Sequence, residues 1–274
     1  MDELALRQAI RAAQPRWILN AAAYTAVDRA ETEPDLAFGI NANAVRILGE
    51  EAVNCGATVV HFSTDYVFDG EGSAPRQEDE PTSPISVYGQ SKLAGEQALT
   101  ATGAAHFTFR TSWVYSTHGK NFMLTILDLA RKRPELKIVA DQVGAPTSAH
   151  DLAQLTLHTM LKSEQIAGSH NLSLSEAARQ IGGVYHACNQ GFTNWFEFAQ
   201  SFIAMARSAE PDQPWARLTP IGTADYPTAA RRPINSRLDC SRLWHRVGYK
   251  LPPWEQSLKR TIDQVYQGRE QFQP

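Results

Sequence analysis

The sequence predicts an α/β protein built on a parallel β-sheet and followed by a small C-terminal lobe. Three observations lead there. Short runs rich in β-branched and aromatic residues alternate with amphipathic stretches of helical period, the pattern of repeated strand–helix units. The clearest run, Thr58-Val-Val-His-Phe-Ser63, meets polar chain at Thr64 and Asp65, and in open α/β sheets chemistry gathers at such carboxyl ends. From about Gln190 the pattern changes to aromatic-rich short helices and Pro-punctuated loops. A length of 274 residues allows one large or two modest domains with a substantial core. The expected division is 1–189 and 190–274, with segments that can interleave.

Composition narrows the class. A net charge of −3 with scattered basic residues argues against a nucleic-acid or membrane surface. No apolar run approaches ~20 residues, and the chain begins acidic and helix-forming, unlike a signal peptide. Cys55, Cys188 and Cys240 are well separated, and an odd, sparse set reads as reduced thiols in a cytoplasmic protein. The eight His show no metal-ligand spacing.

Asp2 to Ala13 carries Leu6, Ala9, Ile10 and Ala13 at i, i+3, i+4 and i+7, an amphipathic helix with Asp2 as N-cap and Pro15 closing it. Trp17-Ile18-Leu19 reads as a short buried strand running into Asn20-Ala21-Ala22-Ala23. Pro34 opens a helix with Ile40, Ala44, Ile47 and Leu48 on one face, and Gly56 ends it. After the Thr58 strand comes a loop with Asp69-Gly70-Glu71-Gly72 and Glu78-Asp79-Glu80-Pro81. That Gly-x-Gly leads into acidic, Pro-containing chain and not a helix N-terminus, so it is no phosphate cradle, and its carboxylates read as a solvated loop. Val87 onward favours helix, His106 to Trp113 alternates as a strand, and Asn121 to Arg133 reads as a helix. Leu136 to Ala140 is a strand, Asp141 to Thr147 crosses the top of the sheet, Ser148 to Lys162 is amphipathic, and Val184 to Cys188 is the last strand.

Tyr88 and Lys92 stand four residues apart in the expected helix, so both side chains lie on one face. A free phenol, with a pKa near ~10, is a poor acid at neutral pH unless something stabilises its anion. A nearby ammonium can do this; lowering the pKa by roughly three units needs about 4 kcal/mol. Thr64 adds a hydroxyl able to hold a carbonyl oxygen beside the phenol. The spacing alone is weak, because the sequence's eight Tyr and its lysines give such a pair by chance about once in five chains. The competing reading is a surface helix with a snorkelling lysine.

The surrounding motifs decide between them. Asn20-Ala-Ala-Ala-Tyr-Thr-Ala-Val-Asp28, Ser63-Thr-Asp-Tyr-Val-Phe68, Tyr88-Gly-Gln-Ser-Lys92, Arg110-Thr-Ser-Trp-Val-Tyr115, Gly144-Ala-Pro-Thr147 and Arg231-Arg-Pro-Ile-Asn-Ser236 occur in one order over nearly the whole chain. Together they resemble the extended short-chain dehydrogenase/reductases and, within them, the dTDP-4-dehydrorhamnose reductases. The resemblance implies a Rossmann-like doubly wound parallel sheet and reduction of a dTDP-sugar ketone with NADPH or NADH. It implies Tyr88, Lys92 and Thr64 as catalytic residues, Thr64, Asp65 and Trp113 at the substrate, and Ala23, Tyr24 and Thr25 with Tyr88 and Lys92 at the cofactor. Arg231, Arg232 and Arg237 are guanidinium forks suited to a diphosphate, or else surface arginines paired with Asp225 or Asp239. Without the motifs, Trp113 would read as core or rim packing and the Ala triplet as a strand–helix contact. By analogy alone the resemblance also brings a homodimer and a magnesium ion at its interface.

One departure stands out. The family opens with a strand, a Gly-rich turn and a helix that hold the pyrophosphate, whereas Gly39, Gly49 and Gly56 are the only glycines among the first sixty residues here. The expectation is an N-terminally truncated sheet, with about one βαβ unit missing and activity impaired. In the order 3-2-1-4-5-6 the absent strands would separate the Trp17 strand from the Thr58 strand, which must then pair directly or expose bare edges. The alternative function is a non-catalytic binding protein resembling the regulatory subunit of methionine adenosyltransferase. A third is another sugar-nucleotide reductase or epimerase differing after Gln190.

Overall fold

The computed structural model describes residues 2–270, so the last four positions of the expected C-terminal lobe lie outside the described residues. Asp2 caps α1 (Glu3–Ala13) by accepting from the Ala5 N–H at 3.0 Å, and Gln14 ends it in the left-handed region ahead of Pro15. After β1 (Trp17–Asn20) come the short α2 (Val27–Ala30) and α3 (Pro34–Phe38). The helix expected as one piece from Pro34 to Gly56 is divided by a π-turn at Gly39–Asn43 and resumes as α4 (Ala44–Cys55). The turn has a purpose visible in its contacts: Asn41, 1% exposed, is swung inward to bind backbone and side chain of neighbouring elements.

β2 (Thr58–Thr64), α5 (Val87–Ala101) and β3 (Ala105–Thr111) follow. The loop before α5 is less solvated than its charge suggests, since Glu78 is buried, its carboxylate accepting the His186 N–H at 2.9 Å, while Asp69 and Glu80 flank Arg76. The chain continues through β4 (Val114–Tyr115), α6 (Phe122–Lys132), β5 (Glu135–Val139), β6 (Val143–Gly144) and β7 (Thr147–Ser148). α7 (Ala149–His170), α8 (Leu174–Ile181) and β8 (Gly183–His186) complete the sheet body. β9 (Thr193–Asn194), α9 (Trp195–Ala209), β10 (Arg217–Ile221), α10 (Ser241–Val247) and α11 (Trp254–Glu270) follow. α8, opened by a Ser173–Glu176 capping box, has no counterpart in the sequence reading, and α9 and α11, at 15 and 17 residues, are not short.

The main sheet has the order β1-β2-β3-β8, all parallel. β1 pairs directly with β2, Asn20 opposite His61, the first of the two arrangements expected, and the intervening helices form an ordinary crossover between neighbours. The strand expected at Leu136 to Ala140 forms as β5 but pairs with β10 outside the main sheet, because the chain leaves the sheet after Thr111. Alternation along β2 sends Val59 to one face and Val60 to the other. Val59 packs with Val45, Ala52 and Leu99 of α4 and α5; Val60 packs with Phe107, Phe109, Leu152 and Leu155 against α7. Helices therefore cover both faces. A second core joins Tyr115, Met123 and Ile138 to Phe198, Phe202, Leu258 and Ile262, so it is built from segments on both sides of residue 190.

Arg110 of β3 and Glu96 of α5 form a buried pair at 2.7 Å, 6% and 4% exposed, which ties helix to sheet and would leave a bare charge if either were removed. The tighter constraint is steric. A Cβ on Gly95 would lie 2.0 Å from the Asn41 carbonyl oxygen, a backbone atom that cannot yield alone. Gly95→Ala is expected to lower stability by about 1–3 kcal/mol, read as a fall in the urea midpoint; an unchanged midpoint would show that the α5 contact is loose.

Candidate active site

The site begins with how α5 is seated. Ser86 caps it, its hydroxyl accepting from the Gly89 N–H at 3.2 Å, and the Val87 N–H donates to Glu31 at 2.9 Å. Gly89 and Gly95 let the helix backbone approach the carbonyls of Tyr66 and Asn41, 2.2 and 2.0 Å from where their Cβ atoms would stand. Asn41 completes the seat: it accepts from the Tyr24 N–H at 2.8 Å and donates to the Tyr24 carbonyl at 3.0 Å and the Ser91 hydroxyl at 2.9 Å. Tyr88 and Lys92 consequently face the carboxyl ends of β2 and β3 across a cavity of about 750 Å³. Its wall also includes Thr64, Asp65, Ala23, Thr25, Trp113 and Arg232.

Sequence reasoning thus reached most of this wall. Tyr24 is the exception among the carried-over positions: its phenol donates to Glu33, its backbone is held by Asn41, and it does not line the cavity. Of the three arginines only Arg232 faces the site, bound to Asp28 at 2.7 Å and 3.4 Å from the Tyr66 hydroxyl. Arg237 donates to Asn235 at 3.1 Å and lies over Phe192. None pairs with Asp225 or Asp239 in the manner expected; those carboxylates accept the N–H groups of Gly222 and Ser241.

The electrostatics differ from the expectation at Tyr88. Burial pushes its phenol well above the ordinary tyrosine range, Asp65 and Tyr66 push the same way, and a hydrogen bond with Thr64 opposes them. Lys92 does not offset this, because its ammonium head turns beneath the helix to donate to the Phe62 carbonyl at 2.7 Å, with His61 Nε2 at 3.3 Å. Lys92 is itself 2% exposed, and burial lowers it to about 8. Thr64 donates to Asp65 Oδ1 at 3.0 Å. Burial raises Asp65 to about 6 against the relief from Ser236 and Thr64.

Trp113 lies two residues beyond β3 with φ 49, a strained setting for a bulky residue. It is clamped there: Gly144 leaves space only for its ring edge, and Trp195 stacks on it at 3.8 Å and 15°. Trp195 in turn donates to Gln142 at 3.2 Å and meets Phe122 at 4.5 Å. Trp195 and Phe122 were missed in the sequence because their approach to Trp113 is set by the second core and by no local pattern. Asn41 was hidden for a similar reason, inside a turn that interrupts the helical period.

Ser63 Oγ and Thr111 Oγ1 are buried in the cavity wall with no hydrogen-bond partner among the described residues. With Lys92, Tyr88 and the small Ala21 and Ala23 they fit the amide and ribose end of a nicotinamide nucleotide, a flat group with several hydroxyls. No glycine lines the cavity, so the described residues supply no Gly-rich phosphate turn. Among the described residues no group of three or more His, Cys, Asp or Glu is arranged to hold a metal ion, and no helix is long and apolar enough to cross a membrane. Asp65 also makes a stability prediction. Because its folded value of about 6 exceeds the unfolded ~3.9, the folded state binds the extra proton between them. Stability therefore falls as pH rises through this window, by on the order of 2 kcal/mol. Urea midpoints at pH 4.5 and 7 should show Asp65→Asn gaining on the parent chain at the higher pH; an equal gap at both would contradict this.

Comparison with known proteins agrees with this geometry. The family model described as the RmlD substrate binding domain matches residues 1–267. A dTDP-4-dehydrorhamnose reductase of Escherichia coli strain K12 is 41% identical over 259 residues, covering 94% of this chain and 83% of the relative. One from Burkholderia thailandensis is 44% identical over 253 residues, 91% and 82% of the two chains. Among solved structures, the Bacillus anthracis dTDP-4-dehydrorhamnose reductase in complex with NADP superposes with a TM-score of 0.84 at 33% identity, covering 96% of this chain and 85% of the other. With a family model spanning nearly every residue and relatives this similar, the chain belongs to the dTDP-4-dehydrorhamnose reductase family.

Proposed function

We propose that this chain reduces a dTDP-linked 4-keto-6-deoxy sugar with NAD(P)H, converting dTDP-4-dehydro-6-deoxy-L-mannose to dTDP-L-rhamnose. The observation that carries the reading is the phenol of Tyr88 beside the Thr64 hydroxyl at the strand ends, in one cavity with Lys92 and Trp113. The reduced nicotinamide, when bound, supplies the hydride for the carbonyl carbon. Tyr88 gives its proton to the oxygen left negative at C4. Burial suits it to this, since it arrives with the proton in place and passes it to a stronger base. The Thr64 hydroxyl, which donates to Asp65 Oδ1 at 3.0 Å in the chain as it stands, turns its single proton to this oxygen beside the phenol when the sugar binds.

Lys92, as the ammonium, stabilises the tyrosinate once the proton has gone and binds the nicotinamide ribose hydroxyls. Ala23 and Thr25 line the cofactor side, whereas Tyr24 contributes through its backbone. The stacked Trp113 and Trp195 offer an apolar face to the deoxysugar, and Arg232 is the guanidinium in reach of the diphosphate. We read 1–189 as the nucleotide-binding body and 190–274 as the substrate lobe, interleaved through the shared core around Phe198. On the family resemblance the proposal extends to a homodimer working in the cytoplasm.

Two results test the assignment. Tyr88→Phe should lower the rate of sugar reduction by a factor of about 10² to 10⁴ while NAD(P)H affinity, measured by fluorescence titration, stays within a few fold; undiminished turnover removes Tyr88 from the reaction. In the parent chain, the ammonium of Lys92 is present below about 8 and lost above it. The rate of reduction should therefore decline as pH rises through that value, and a flat profile to pH 10 would show that the charge on Lys92 is not used.

A further inference from the structure

Beneath the catalytic pair lies a buried chain of three polar side chains, Asn20 at the end of β1, His61 on β2 and Lys92 on α5. His61 is fully buried and Asn20 is 8% exposed. Asn20 Nδ2 lies 2.9 Å from His61 Nδ1, and His61 Nε2 lies 3.3 Å from Lys92 Nζ. The direction of each bond can be worked out from one end. The Ala22 N–H donates to Asn20 Oδ1 at 3.3 Å, which identifies the oxygen of that amide and leaves the NH₂ group facing the imidazole. An amide nitrogen can only donate, so His61 Nδ1 must accept.

Burial and the neighbouring Lys92 and His106 hold His61 far below the ordinary histidine range, so the ring is neutral and carries one proton. With Nδ1 accepting, that proton is on Nε2, aimed at Lys92. An ammonium there meets an N–H, whereas a neutral amine presents its lone pair and accepts.

We propose that Asn20 and His61 are positioning residues for Lys92: Asn20 fixes the His61 proton on Nε2, and the N–H so placed opposes the ammonium form of Lys92. The other groups facing this chain do not reverse the effect. Glu96, one turn along α5, favours the ammonium but is held by Arg110 at 2.7 Å. His106, on β3, is itself pushed down by burial and carries no charge at neutral pH. Tyr88, at the mouth of the cavity, keeps its proton, and Asp65, ionised above about 6, favours the ammonium without preventing the fall of Lys92 to about 8. The Phe62 carbonyl accepts one Lys92 proton in either form. The bearing on catalysis rests on the reductase reading, since it makes the charge that steadies the tyrosinate a switchable one. The placement of the proton does not rest on that reading.

The test is nuclear magnetic resonance on the whole chain with ¹⁵N-labelled histidine and lysine, His61 assigned by its loss in His61→Gln and Lys92 by its loss in Lys92→Met. In the parent chain His61 should show a protonated Nε2 and a bare Nδ1; the opposite pattern overturns the proposal without reference to any variant or to activity. Asn20→Asp replaces the donor by an acceptor. The His61 proton should move to Nδ1, freeing Nε2 to accept, and the Lys92 titration should rise by about one pH unit or more. The basic limb of the reduction profile should rise with it. A His61 proton that moves while the Lys92 titration stays put also overturns the proposal. A limb that stays put while the Lys92 resonance shifts would instead count against Lys92's part in the reductase reading.

Discussion

The close seating of α5 on neighbouring backbone is the constraint on which the site depends. Gly89 rests on the Tyr66 carbonyl and Gly95 on that of Asn41, with Ser91 between them bound to the Asn41 side chain at 2.9 Å. One face of the helix thus has almost no side-chain thickness, and the positions beside it, Tyr88 and Lys92, are carried to within reach of the strand ends. Both anchoring carbonyls come from irregular segments, the π-turn at Gly39–Asn43 and the turn at Asp65–Val67. The seat is therefore made by the two places where the chain departs from regular structure.

Desolvation then governs the chemistry. The same cavity wall pushes Tyr88 and Asp65 up and Lys92 down, each toward its uncharged form. A site arranged this way disfavours every charge, yet only Tyr88 rests uncharged at neutral pH; Asp65, raised to about 6, and Lys92, lowered to about 8, still carry most of theirs. Hydrogen bonds fine-tune that default: Thr64 against burial at Tyr88, Ser236 and Thr64 at Asp65. The expectation that a lysine one turn away would make the phenol acidic fails because proximity in sequence does not fix where a flexible ammonium points. The Phe62 carbonyl, at 2.7 Å, holds it instead.

What the sequence made legible was local. Asp2 as a cap, Pro15 and Gly56 as stops, the Thr58 strand and the Tyr88–Lys92 face all follow from short-range stereochemistry and appear as read. What it concealed was set by tertiary packing. The departure of β5 to pair with β10 depends on Trp113 leaving the sheet at φ 49, and the Trp113–Trp195 stack joins residues 82 positions apart. Cys188 and Cys240, well separated in sequence and read only as reduced thiols, meet with the Cys188 N–H 3.4 Å from the Cys240 sulfur, a contact that spacing cannot foretell.

Burial keeps Tyr88 loaded with its proton until the reaction removes it. The direct measurement is an ultraviolet titration of ligand-free protein, taking the difference between the parent chain and Tyr88→Phe so that only this phenol contributes. The account predicts no tyrosinate signal from Tyr88 up to the ordinary phenol value of ~10. A signal growing in near pH 7 would contradict it.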